Sequence, residues 1–72
     1  MTERTLKKKS EIALCVEMGK LAFDEGMKCI PANDKRIMSV IADEEKRTIT
    51  TIQVLKAWID GWTQANLKGK AI

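Results

Sequence analysis

Trp58 and Trp62, the two tryptophans of the chain, lie four positions apart with Gly61 beside the second. Glycine inside a helix costs roughly 1 kcal/mol relative to alanine. A helix that places one between two indoles therefore implies a close neighbour at that point. In the stretch LKAWIDGWTQANL (55–67), Ala57, Gly61 and Ala65 recur at helical spacing as a small-residue strip. Gly19, Ala22 and Gly26 form a matching strip near the end of an earlier amphipathic segment. Two such strips let helices cross closely, with the tryptophans covering the seam and burying much of their large surface.

The apolar periodicity predicts a first helix starting near Thr5 or Ser10 and stopping at Gly26. Ile12, Cys15, Val16, Gly19, Ala22, Phe23 and Gly26 share one face, and Leu14, Met18 and Leu21 form a second apolar strip. A helix with two apolar faces has to be covered twice, by its own chain or by a partner. Met27 to Ala32 reads as a connection, because Pro31 cannot continue a helix and restricts Ile30. Asn33 or Asp34 can cap a middle helix with Ile37, Met38, Val40 and Ile41 as its stripe, within residues 34–48.

The stretch TITTI (48–52) has strand-like composition, yet Thr50 followed by Gln53 fits a capping box that opens the last helix. No second strand-like segment is present to pair with it. In the last helix Gln53, Lys56, Asp60, Thr63 and Gln64 mark the wet side, opposite Ile52, Leu55, Trp58, Ile59, Trp62 and Ala65. The expected fold is all-α: a small antiparallel hairpin of the first and last helices with a short middle helix, one three-helix domain over 1–72. Residues 1–9 read as a basic, partly frayed N-terminus and 68–72 as a C-terminal tail.

At 72 residues a single core rarely supplies more than about 3 to 5 kcal/mol, so a partner or second copy is in view from the start. Charged residues at 32% and apolar ones at 44% are globular rather than disordered composition. No apolar run approaches the ~20 residues of a membrane span, and no signal-peptide core is visible, so a cytoplasmic protein with no membrane partner is expected. Cys15 and Cys29 then read as reduced thiols, Cys15 as core, and two cysteines without histidine argue against a metal site. Without histidine, acid–base and nucleophilic arrangements lack their usual members, and the four glycines form no phosphate loop. Neither an enzyme nor a cofactor is expected.

The patterns GxxAxxxG (Gly19, Ala22, Gly26) and WxxGWxxA (Trp58, Gly61, Trp62, Ala65) resemble the ribosome modulation factor family, small bacterial proteins of two helices joined by a linker. The chain departs from the family in its longer linker and in the separation of Cys29 from Pro31 by Ile30. The resemblance implies binding to the small ribosomal subunit near the path of the messenger, silencing ribosomes and promoting their pairing in resting cells.

Physically, Arg4, Lys7, Lys8 and Lys9 crowd one end of the sequence and Lys68 and Lys70 the other. An antiparallel pairing would merge them into one basic, phosphate-attracting end. The same lysines are also compatible with solvated chain ends. The tryptophans can stack on unpaired bases, yet they lie on the stripe a small core needs, which makes them anchors first. Asn66 is either a helix C-cap or a polar contact to a partner.

The leading expectation is thus a ribosome or RNA binder. The alternative is a protein-interaction module or homodimer, for example a small regulator carried by a mobile element, using Leu14, Met18, Leu21 and Asn66. A DNA reader is disfavoured, because the candidate recognition helix is too apolar and poor in arginine.

Overall fold

The computed structural model describes residues 3–70, with side chains for residues 9–69. Three α-helices appear in the order α1 (Glu3–Asp24), α2 (Lys35–Ala42) and α3 (Thr51–Lys70), with a single 3-10 turn at Pro31–Asn33 between the first two. The all-α, three-helix expectation holds, and the two long helices make the main interface. Among the described residues no helix is long and apolar enough to cross a membrane.

Local chemistry accounts for the helix ends. α1 stops where Gly26 takes a φ of +81°, a left-handed conformation that favours glycine. The Met27 amide then donates to the Ala22 carbonyl and the Gly26 amide to the Phe23 carbonyl, both at 2.9 Å, which is a Schellman closure. α2 is capped by Asp34, whose carboxylate accepts from the Arg36 amide at 3.0 Å. The capping box at α3 is formed as expected: the Thr50 amide donates to Gln53 Oε1 at 2.9 Å and the Gln53 amide to Thr50 Oγ1 at 3.2 Å. Ile49 and Val54, on either side of that cap, are both buried in the core, the arrangement of a hydrophobic staple.

The core consists of Cys15, Ala22, Ile37, Ile49, Val54, Ala57 and Trp58, flanked by Val16, Met18, Met27, Val40, Ile41 and Trp62. At its centre the two small-residue strips face each other. A Cβ added to Gly19 would sit 1.9 Å from the Trp58 carbonyl oxygen, and one added to Gly61 would sit 1.9 Å from the Val16 carbonyl oxygen. Both distances are far inside van der Waals contact, so the backbones meet there directly.

The direction of the pairing corrects the antiparallel expectation. Glu11, in the first half of α1, accepts from the Thr48 amide at 2.9 and 3.0 Å, just ahead of α3. At the other end, Phe23 meets Trp62 edge-on at 5.4 Å and lies against Gly69. The starts of both helices are together and so are their ends: α1 and α3 run the same way. α2 runs back between them, with Asp34 at its start bonded to Trp58 and Ile41 at its end beside Thr51 and Leu55. The middle helix is the return leg that carries the chain to the start of α3, and it occupies only residues 35–42 of the expected 34–48. Residues 43–50 complete the return, pinned by Arg47, whose guanidinium donates to the Ile41 carbonyl, the Ile49 carbonyl and Thr51 Oγ1.

α3 also presents a different face from the one periodicity suggested. Its buried residues are Val54, Ala57, Trp58 and Gly61, whereas Ile52 is 65% exposed and Ile59 40%. The side of closest approach is the small-residue strip, and the bulky aliphatics are turned outward.

Replacing Gly19 by alanine is therefore expected to force the helices apart and cost about 1 to 3 kcal/mol. Gly26→Ala, which has open space around it, should cost only the roughly 1 to 2 kcal/mol of a left-handed alanine. Denaturant midpoints of the two variants check the crossing: an unchanged midpoint for Gly19→Ala contradicts it.

Candidate functional site

The expected basic end does not assemble. With α1 and α3 parallel, Lys9 and Lys68 stand at opposite ends of the pair and both are exposed. Taking Gly19 and Trp62 as level, helical rise places them roughly 25 Å apart along the bundle. The side chains of Arg4, Lys7, Lys8 and Lys70 lie outside the described residues, although their backbone is helical. Lys68 instead shares a shallow hollow with Lys20, Phe23, Asp24 and Gln64 at the end where both long helices stop.

The tryptophans are anchors. Trp58 is fully buried, and its indole N–H donates to Asp34 Oδ2 at 2.9 Å. Trp62 is half-buried, stacked edge-on with Phe23, and its N–H donates to the Met27 carbonyl at 2.9 Å. Both indole N–H groups are spent on the fold. Gly19 and Gly61 form the crossing and Ala22 is buried in the core, while Ala65 lines the hollow that holds Lys68 and Gly26 serves the turn after α1.

The strongest electrostatic feature is Asp34, a buried carboxylate that sequence reading treated only as a cap. Burial by itself raises its pKa. The Trp58 indole, the Arg36 side chain and the Arg36 amide all donate to the ionised form and prevail, so the carboxyl is held below the ordinary range. Arg36 also reaches Glu25 at the end of α1. One carboxylate thus caps α2, satisfies the buried indole of α3 and orients an arginine that ties down α1. The Trp58–Asp34 pair carried no sequence signal, because the partners are remote in the chain.

Cys15 is buried in the core and its thiol pKa is raised, first by burial and then by the Glu11 charge; Cys29 is an exposed free thiol. Of the strip proposed as an interface, Leu14 and Leu21 are 56% and 49% exposed, but Met18 packs on the core. Asn66 is half-buried inside α3, which continues to Lys70, so it is not the C-cap.

A more continuous apolar surface lies between α2 and α3. Ile30, Pro31, Ala32, Met38, Ile41, Thr51, Leu55 and Ile59 line an open groove of about 480 Å³. Ile30, Met38 and Ile59, with neighbouring Ile52, are among the large apolar residues left at the surface. The periodicity had put Ile52, Leu55 and Ile59 on the buried face, which concealed this groove.

Comparison of the chain with protein-family models, curated proteins and solved structures gave no match.

The lowered pKa of Asp34 has a definite sign. A carboxyl whose folded pKa is depressed contributes stability that is complete above the unfolded value, near 3.9, and lost as pH falls through the folded one. Wild type is expected to lose stability on acidification from about pH 4 downward, and Asp34→Asn to be less stable at neutral pH with a flatter acid limb. Thermal melts of both proteins from pH 2 to 7 measure this; parallel curves contradict the assignment.

Proposed function

We propose that the chain is a small RNA-binding protein that docks on the ribosome or another structured RNA through the basic start of α1. Charge placement carries this reading. Residues 3–9 hold Arg4, Lys7, Lys8 and Lys9 against Glu3 alone, a net +3 that equals the formal charge of the whole chain. The other nine basic residues are matched by nine acidic ones. This stretch is helical from Glu3 and continues α1 past the Glu11 tie to Thr48, a basic arm roughly 10 Å long.

Such an arm suits phosphate contacts, whose free energy comes largely from counterion release. The resemblance to the ribosome modulation factor family points the same way, although Gly19 and Gly61 of its two patterns serve the packing of α1 on α3 and not a binding surface. Lys68 and Lys70, separated from the arm by the length of the bundle, are no longer part of the proposed surface.

Replacing Arg4, Lys7, Lys8 and Lys9 by glutamine is expected to weaken binding by orders of magnitude. The slope of log K against log salt should fall by about 3, since each lost contact removes about 0.7 to 0.9. Lys68→Gln with Lys70→Gln should change the slope by less than about 1, and both variants should stay folded, with stability changed by no more than about 1 kcal/mol. Co-sedimentation with ribosomes across a salt series makes the measurement. A wild type that fails to sediment at low salt, or an arm variant that binds with an unchanged slope, overturns the reading and leaves the protein-interaction module.

A further inference from the structure

The basic arm leaves the bundle at Glu11. From Lys9 to Leu14 every residue of α1 except Glu11 is exposed, so this stretch of helix gains little from packing. An open hollow lined by Glu11, Leu14, Val40, Asp43, Lys46 and Arg47 runs alongside it. Across that hollow the Glu11 carboxylate accepts from the Thr48 amide at 2.9 and 3.0 Å and from the Thr48 hydroxyl. A carboxylate one turn after Lys7 and Lys8 would ordinarily serve as their partner on the helix surface. This one is committed to a residue 37 positions away.

Thr48 is a firm post for such a tie. On one side of it the Arg47 guanidinium is bonded to the Ile41 carbonyl, the Ile49 carbonyl and Thr51 Oγ1. On the other side Ile49 is buried in the core, and Thr50 caps α3. The segment that receives Glu11 is thus fixed independently of α1.

The arm has need of it, because by itself it is a poor helix. Residues 3–9 fall well short of the roughly 12 to 15 residues at which an isolated helix becomes even marginal in water. Arg4 is spaced three and four positions from Lys7 and Lys8, where like charges oppose the helix, and it lies in the first turn, where a cation opposes the helix dipole. The charges that suit phosphate are those that unwind the element carrying them.

We infer that Glu11 is a positioning residue for RNA binding: docked on Thr48, its carboxylate holds the basic arm helical beyond the bundle, so that phosphate meets a formed surface. The purpose of the latch rests on the RNA-binding reading, whereas the latch itself is measurable without RNA.

Glu11→Gln and Glu11→Ala in the full chain test it. Both remove the same charge; glutamine keeps an acceptor for the Thr48 amide, and alanine has none. Alanine is also the better helix former, so fraying in that variant comes from the lost tie and not from propensity. Amide hydrogen exchange at residues 7–12 is expected to be about 3- to 10-fold faster in Glu11→Ala than in Glu11→Gln, with the amides of Val54 and Trp58 unchanged. In co-sedimentation with ribosomes Glu11→Ala should bind about 3- to 10-fold more weakly than Glu11→Gln, because a smaller fraction of arms is ready. The two salt slopes should agree within about 1, since the phosphate contacts are the same. Local fraying in a chain that never sediments with ribosomes upholds the latch and overturns only the RNA-binding reading. Equal exchange in the two variants, an increase shared by Val54 and Trp58, or an alanine variant that binds ribosomes as tightly as the glutamine one overturns the inference.

Discussion

The backbone contact at Gly19 and Gly61 is the constraint on which the rest of the domain depends. Each glycine receives a carbonyl of the other helix, Trp58 for Gly19 and Val16 for Gly61, and any side chain at either position would occupy that space. Because the helices touch through their smallest residues, large neighbours are displaced to the sides of the seam. Trp58 goes into the core and Trp62 onto Phe23. The same geometry turns Ile52 and Ile59 away from α1, Ile59 into the wall of the groove. Core, tryptophan placement and outer surface all follow from one crossing.

Asp34 distributes the consequences of that crossing. Burying Trp58 also buries an indole N–H, which has to be bonded or would cost about 1 to 3 kcal/mol. The chain meets this with the cap of the returning helix. α2 therefore docks where the indole of α3 points, and Arg36 extends the link to Glu25. Among the described residues no buried side-chain polar atom lacks a partner.

Much of this was legible in the sequence because it is local. The capping box of Thr50 and Gln53, the Asp34 cap, the turn at Gly26 and the burial of Cys15 each depend on a few adjacent residues or on one helical face. The opposition of the two glycine patterns was legible too, since only a close neighbour justifies such glycines. The direction of the pairing was not. Val16 with Gly61 and Gly19 with Trp58 are compatible with either orientation, and only the remote pairs Glu11 with Thr48 and Phe23 with Gly69 decide it. From that one undetermined sign came the merged basic end; the rotated face of α3, which hid the groove, came instead from apolar periodicity, which sets bulky aliphatics against α1 where the fold sets the small residues. Asp34 and Trp58 are an ordinary cap and an ordinary core aromatic when read alone.

The parallel course of α1 and α3 also gives the backbone a polarity. The peptide dipoles of the two long helices point the same way, so both N-terminal ends lie at one pole and both sets of terminal carbonyls at the other, with only the short α2 opposed. Aligned neighbours of this kind repel mildly, and charge at the poles can offset it. α1 has no basic residue in its last turn, but Lys68 in the last turn of α3 stands beside Asp24, where α1 ends. A lysine placed this way lowers the field of the fold itself, by about 0.3 to 1 kcal/mol. A charge that the sequence offers as a handle for phosphate can thus be, in the folded chain, a counterweight to its own backbone.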